Sequence, residues 1–395
     1  MLRTLRARYA ALAAIPGAMR FLALSLPMRL PIGTVGLGTL LHLRELTGSI
    51  AYAGSVVGAQ FVAMAATAPL IGRLVDRRGP RRVLVVCGIA SPLALAAVLA
   101  AGPLGLSKAA ILAWAVAAGA FTPPLTVLVR TLWRMRLDEP ELRQTAFATD
   151  AVALELAYTL GPALIAIAVA AGMPGGPLAL AVACSAAAVP LMHASGALAW
   201  WQPSEATERH LLGPLRDRRL AMLYATTFVF AVSFGAIEVA YPAFGRAAGA
   251  DAWGPALLAI CSIGSAIGGA AYGGLHLRTP LARQMPVAMG LFAVGLAVHV
   301  PIADPWLLAV VAAVAGILIA PAMTIVSLLV AEFAPSECAT EAFTWSTTSI
   351  VVGIGAGMAA AGSLAERFGA SGALALGAAA ALGASALAIA LRRAH

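Results

Sequence analysis

Charge is what this chain has least of. Asp, Glu, Lys and Arg make up 11% of its 395 residues, where a soluble domain carries about 25%. With 61% hydrophobic residues and a mean hydropathy of +0.91, a water-exposed surface of ordinary polarity cannot be built, so a soluble globular fold is excluded. Lysine is nearly missing, with Lys108 alone among 26 basic residues. Cysteine is scarce. Cys87, Cys184, Cys261 and Cys338 stand far apart, without a C-x-x-C pair or neighbouring histidines, which argues against a disulfide framework and a zinc site. Aromatics at 6% are too few for a large aromatic cage. Glycine runs such as Gly353-x-Gly355-x-Gly357 have no strand or soluble domain around them. They read as close-packing surfaces of helices in lipid rather than phosphate loops.

What the chain has instead is apolar length. Stretches of about 20 residues recur, each long enough to cross a hydrocarbon layer of about 30 Å. They are apolar on both faces, unlike the alternating strands of outer-membrane barrels, and backbone pairing inside lipid then requires helices. Breaks and charged turns predict twelve spans, at 18–42, 50–72, 82–101, 108–132, 144–171, 177–200, 220–245, 253–275, 284–303, 306–331, 340–365 and 371–391. The polar segment 201–219 divides them into an N-terminal six-helix bundle (1–200) and a C-terminal one (220–395), with a cytoplasmic linker between. The first residues, with Arg3, Arg6 and Arg8, read as a basic cytoplasmic tail leading into span one rather than a cleaved signal.

Arginine predicts the orientation. With the N-terminus inside, 20 arginines fall in inside segments, against four basic residues at outside ends, namely Arg44, Lys108, Arg246 and Arg367. By the positive-inside rule both termini are expected in the cytoplasm, and the expected location is a bacterial cytoplasmic (inner) membrane. The net charge of +9 therefore reflects topology, and no nucleic-acid partner is expected. The halves also repeat faintly. Gly119 and Pro124 in span four match Gly316 and Pro321 in span ten, Gly161 matches Gly357, and Arg44 answers Arg246. Duplicated six-helix halves are a transporter architecture, with the substrate site at the repeat interface.

The turn between spans two and three reads Gly72-Arg-Leu-Val-Asp76-Arg77-Arg-Gly79-Pro-Arg81. Together with twelve spans in a 6+6 split, it resembles the signature of the major facilitator superfamily, in which Gly72, Leu74, Asp76, Arg77 and Gly79 match in register and Arg81 stands for the usual lysine. The resemblance implies an all-α membrane fold of two six-helix bundles related by a pseudo-two-fold axis. It also implies that Gly72, Asp76, Arg77, Gly79 and Arg81 form a gating motif, with Asp76 meeting the N-terminus of helix eleven as a cytoplasmic latch. A narrower likeness lies in span five, where Glu155 to Gly161-Pro162 resembles part of the Gly-Pro motif of proton-coupled exporters.

Ionisable groups inside spans cost about 2.5–3.5 kcal/mol on insertion scales, so each needs a reason. Arg29 lies in span one between Pro27 and Pro31, suited to an anionic group or a carboxylate. Span five carries Asp150 and Glu155, about 140° apart around the helix, so they are separate sites rather than a dyad. Tyr158 lies on the face of Glu155. Span seven carries Glu238 with Tyr241 on its face, and span eleven places Glu341, Trp345 and Thr348 together. These residues are the candidates for substrate binding and proton coupling. No paired His or Asp cluster suggests catalysis, so no enzyme activity, cofactor or metal is expected. The expected function is secondary active transport of a small molecule by a monomer in the lipid bilayer, as proton-coupled efflux by antiport. The alternative is proton symport that imports a sugar, organic acid or other nutrient, with Arg29 holding the anion.

Overall fold

The protein, in a computed structural model that describes residues 2–172, 175–202, 213–250, 253–275, 277 and 279–393, consists of helices joined by short turns, with no strand among those residues. In chain order the helices are α1 (Leu2–Ala13), α2 (Ala18–Ser25), α3 (Leu30–Thr47), α4 (Ile50–Arg78), α5 (Pro80–Leu99), α6 (Lys108–Ala120), α7 (Leu125–Arg136) and α8 (Pro140–Ala170). Then follow α9 (Gly176–Ala194), α10 (Gly213–Arg216), α11 (Arg218–Ala247), α12 (Trp253–Gly274), α13 (Leu281–His299), α14 (Pro305–Gly316), α15 (Ile319–Phe333) and α16 (Ala339–Arg393). Of the linker expected at 201–219, residues 203–212 lie outside the described residues. Its end is a helix cap, in which Asp217 accepts from the backbone N–H groups of Arg219 and Leu220 at 2.8 and 3.3 Å.

Eleven helical stretches among the described residues are long and apolar enough to cross a membrane. The last accounts for two of the twelve predicted spans. α16 has 55 residues, about 80 Å if straight, more than twice the hydrocarbon thickness. It breaks at Gly369, whose φ of 66° and ψ of −164° are open to glycine and closed to residues with a Cβ. Three other spans are interrupted helices. Span one runs through α2, a 3-10 turn at Pro27–Arg29 and α3. Spans four and ten run through α6–α7 and α14–α15.

The chain forms two compact units. One contains Ala13–Arg136 and Leu156–Ala206, and the other Met1–Leu12, Leu137–Glu155 and Thr207–His395. The grouping departs from a simple cut at the linker, because α1 and the first half of α8 are held by side-chain bonds to α12. α8 thus passes from one unit to the other after Glu155.

Within each unit the packing follows the sequence repeat. A Cβ on Gly119 of α6 would strike the carbonyl of Gln60 in α4, and one on Gly316 of α14 would strike that of Cys261 in α12. Gly161 of α8 lies against the backbone of Gly33 in α3, while Gly357 of α16 lies against Val232 in α11. Matched glycines therefore sit at matched crossings, where only the missing side chain lets the backbones meet. Aromatic residues mark the ends of the spans. Phe21, Trp133 and Trp200 cluster with ring centroids 5.1–5.3 Å apart near the arginine-rich end, and Trp253 meets Trp306 edge-on at 4.9 Å near the arginine-poor end.

Gly268→Ala places a methyl against the Ile317 carbonyl, whereas Gly355 faces open space. Gly268→Ala is expected to destabilise the protein by about 1–3 kcal/mol, and Gly355→Ala to leave the melting temperature in detergent unchanged. Equal melting of the two variants would refute the packing account.

Candidate functional site

The polar groups expected to do chemistry fall in both units. In the unit that contains α11 to α16, α12 carries Gly264, Gly268 and Gly269. A Cβ on Gly269 would come within 2.9 Å of Val152 in α8, so α8 and α12 run in close contact here. One turn earlier on α12, Ser265 is fully buried, and its hydroxyl donates to Glu155 Oε1 at 3.0 Å. Ser262 shares that face and also reaches the carboxyl. The close approach at Gly269 thus brings two hydroxyls of α12 to the Glu155 carboxyl of α8.

Asp150, five residues before Glu155, is 1% exposed, and Glu341 of α16 is 5% exposed. Neither is an isolated charge. Phe147 of α8 meets Phe343 of α16 edge-on, with centroids 6.0 Å apart. That contact sets the first turn of α16, with Glu341, beside the α8 segment that carries Asp150. Further along the same α16 face, Trp345 Nε1 and Thr348 Oγ1 are buried and lack a hydrogen-bond partner among the described residues. Buried polar atoms are nearly always paired, so these two retain hydrogen-bonding capacity.

Glu238 and Tyr241 part company. Glu238 is exposed, while Tyr241 is fully buried. The Tyr241 hydroxyl lies 3.2 Å from His299 Nε2, and His299 Nδ1 lies 2.7 Å from the Gly295 carbonyl. Nδ1–H therefore donates to Gly295 and Nε2 accepts from Tyr241. Residues three apart on a helix differ by about 60° in direction, enough to turn one toward α13 and leave the other on the surface. Sequence reasoning missed His299 and Ser265 as partners. Tyr241 and His299 are 58 positions apart, and neither sits in a motif.

In the other unit, Arg29 closes the 3-10 turn between α2 and α3, and only 1% of it is exposed. The two prolines do break span one there. Like the acids, Arg29 is not an isolated charge. Tyr158 is 48% exposed. The 72–81 turn is built as its residues dictate. α4 ends at Arg78, Gly79 takes φ 77° and ψ 159°, and Pro80 opens α5. The Gly79 N–H caps α4 through the Val75 carbonyl at 2.9 Å. Gly72 is buried, Asp76 partly buried, and Arg77 and Arg81 exposed.

With this geometry in view, the sequence family can be read directly: the Major Facilitator Superfamily model matches residues 30–346. The chain belongs to the Major Facilitator Superfamily. It is an integral membrane protein with the fold of a transporter, a family whose members carry small molecules across the bilayer. No curated protein matches it in sequence. Solved structures match it in fold. A bacterial homologue of the iron transporter ferroportin, in an outward-facing state, superposes with a TM-score of 0.79 at 13% identity, over 94% of this chain and 98% of that one. The human organic anion transporter TETRAN gives 0.72 at 18% identity over the same shares. The E. coli fucose:proton symporter FucP gives 0.68 at 13% identity, over 96% and 98%. At such identities the likeness concerns the fold. It agrees with the expected two-bundle, twelve-helix architecture.

Tyr241→Phe removes the donor to a buried imidazole nitrogen. It is expected to cost about 1–3 kcal/mol, read as a lowered melting temperature at unchanged helicity. An unchanged melting temperature would show that the Tyr241–His299 bond adds nothing to stability.

Proposed function

We propose that this member of the superfamily is a secondary active transporter of the bacterial cytoplasmic membrane, working by alternating access and exporting a small molecule in exchange for protons. The observation that carries the reading is Glu155, an acid within a span, hydrogen-bonded by Ser265 at 3.0 Å. A hydrogen bond to a carboxylate is about twice as strong as one to a neutral acid. Loading and releasing a proton at Glu155 therefore changes how firmly α8 is held to α12, which is what coupling requires. The unused hydrogen-bonding capacity of Trp345 and Thr348, beside buried Glu341, offers contacts for a polar part of the substrate. With few charges in the spans, the substrate is small and amphipathic or cationic rather than multiply charged.

The arginine-rich ends lie in the cytoplasm on this reading, and Asp76 serves as a latch on that side, a carboxylate at a helix N-terminus contributing about 0.3–1 kcal/mol. An interaction of that size suits a contact that opens in every cycle. One observation favours a second reading. Arg29 is a buried cation at a helix break, suited to an anionic substrate carried inward with protons.

Proton flux in inverted vesicles separates the two, because antiport alkalinises the compartment that gains substrate and symport acidifies it. Glu155→Gln is expected to abolish pH-driven transport, by tenfold or more on the scale of about 1.4 kcal/mol per decade, with expression intact. Retention of the parent pH dependence would remove Glu155 from coupling. Asp76→Asn is expected to slow turnover while substrate Kd is unchanged, and an equal loss in both would count against a latch.

A further inference from the structure

The end of α12 is capped from outside. A helix leaves its last carbonyls without partners, and here side chains of α1 and α8 supply the donors. Tyr9 Oη donates to the Ala270 carbonyl at 3.0 Å, and Thr145 Oγ1 to Gly273 at 2.7 Å. Gln144 Nε2 reaches the carbonyls of Tyr272 and Leu275 at 2.7 and 3.1 Å, and Arg8 Nη1 reaches Leu275 at 2.9 Å. Arg8 also pairs with Glu141 at the start of α8, at 2.8 Å, so one guanidinium ties α1, α8 and α12 together. A Cβ on Gly273 would fall 2.8 Å from both Tyr9 Oη and Ala148, so glycine is what admits this cap.

A basic tail that only set topology would leave its arginines in water. Arg8 is instead 8% exposed, and Leu12, one turn on along the same face, is 1% exposed. Burial raises the Tyr9 pKa above the ordinary phenol value, with Thr149 as a further side-chain partner, so the hydroxyl remains a donor at neutral pH. A cation at a helix C-terminus is also favoured by the helix dipole.

We propose that α1 is a gate element of the transport cycle, Arg8 and Tyr9 being positioning residues that hold the first half of α8 against the end of α12 and release it when the arginine-rich side opens. The inference rests on the alternating-access reading above. Gln144 and Thr145 join α8 directly to the end of α12, so any motion that draws the first half of α8 from α12 must break these bonds. Side-chain bonds to helix-end carbonyls exchange for water at small net cost, which lets them break and reform in each cycle.

Hydrogen exchange of the full chain in lipid nanodiscs tests this. Tyr9→Phe and Arg8→Gln are expected to speed amide exchange in 137–149 and 270–275 by about fivefold or more, the scale of one lost hydrogen bond. They are also expected to slow exchange reciprocally at the arginine-poor ends, in 246–256 and 300–306. Arg8→Lys keeps the charge without the forked reach and is expected to fall between. Faster exchange confined to 137–149 and 270–275 would overturn the proposal in favour of a fixed staple, as would no change. If Arg8→Gln does not fold, Tyr9→Phe decides. If the parent protein itself shows no reciprocal exchange between its two ends across pH, alternating access fails and the gate falls with it. If the parent shows it and Tyr9→Phe leaves it unshifted, the gate alone fails.

Discussion

In hydrocarbon, apolar side chains gain nothing by leaving lipid for one another, so helices cohere where their backbones come into contact. Everything else in this structure depends on that constraint. The crossing of α6 on α4 rests on Gly119 against the Gln60 carbonyl, and that of α14 on α12 on Gly316 against Cys261 and Gly264 against Ala313. The crossings of α8 on α3 and α16 on α11 repeat the device with Gly161 and Gly357. Because the contacts are backbone to backbone, they fix helix rotation as well as distance, and rotation decides which polar residues can meet.

Glu155 shows the consequence. Gly269 brings α12 against α8, and Ser265, one turn away, then lies 3.0 Å from the carboxyl. A bulkier residue at 269 would separate the helices and leave an acid in lipid without its hydroxyl, at a cost of several kcal/mol. Small residues and intramembrane charge are thus one design: close packing supplies the hydrogen bonds that make the charge tolerable. The cap on α12 follows the same logic at the membrane edge, where Gly273 admits Tyr9 and α8 to the carbonyls that the helix cannot satisfy itself.

Much of the fold was legible in the chain. Span lengths, the glycine and proline pairs 119/124 and 316/321, and the two prolines around Arg29 each act over a few residues, and the structure realises all three. The twelfth span was legible too, since Gly369 stands between two apolar runs and takes the positive φ that ends the first of them. The candidate site was less legible. Glu238 and Tyr241 share a face by spacing, yet one is exposed and the other buried against His299. Arg8 reads as part of a solvated basic tail, yet it is buried and bonded to residues 133 and 267 positions away.

The sequence by itself therefore determined the medium, the number of spans, their internal breaks and the duplication, because hydropathy, proline and glycine act through the local backbone. The tertiary structure alone decided which polar groups meet: Ser265 with Glu155, Tyr241 with His299, and Arg8 with both Glu141 and the end of α12. A hydrogen bond demands placement to within a few tenths of an ångström. In this protein that placement is set by the rotation of whole helices about glycine contacts such as Gly269 against α8, which join segments far apart in the chain.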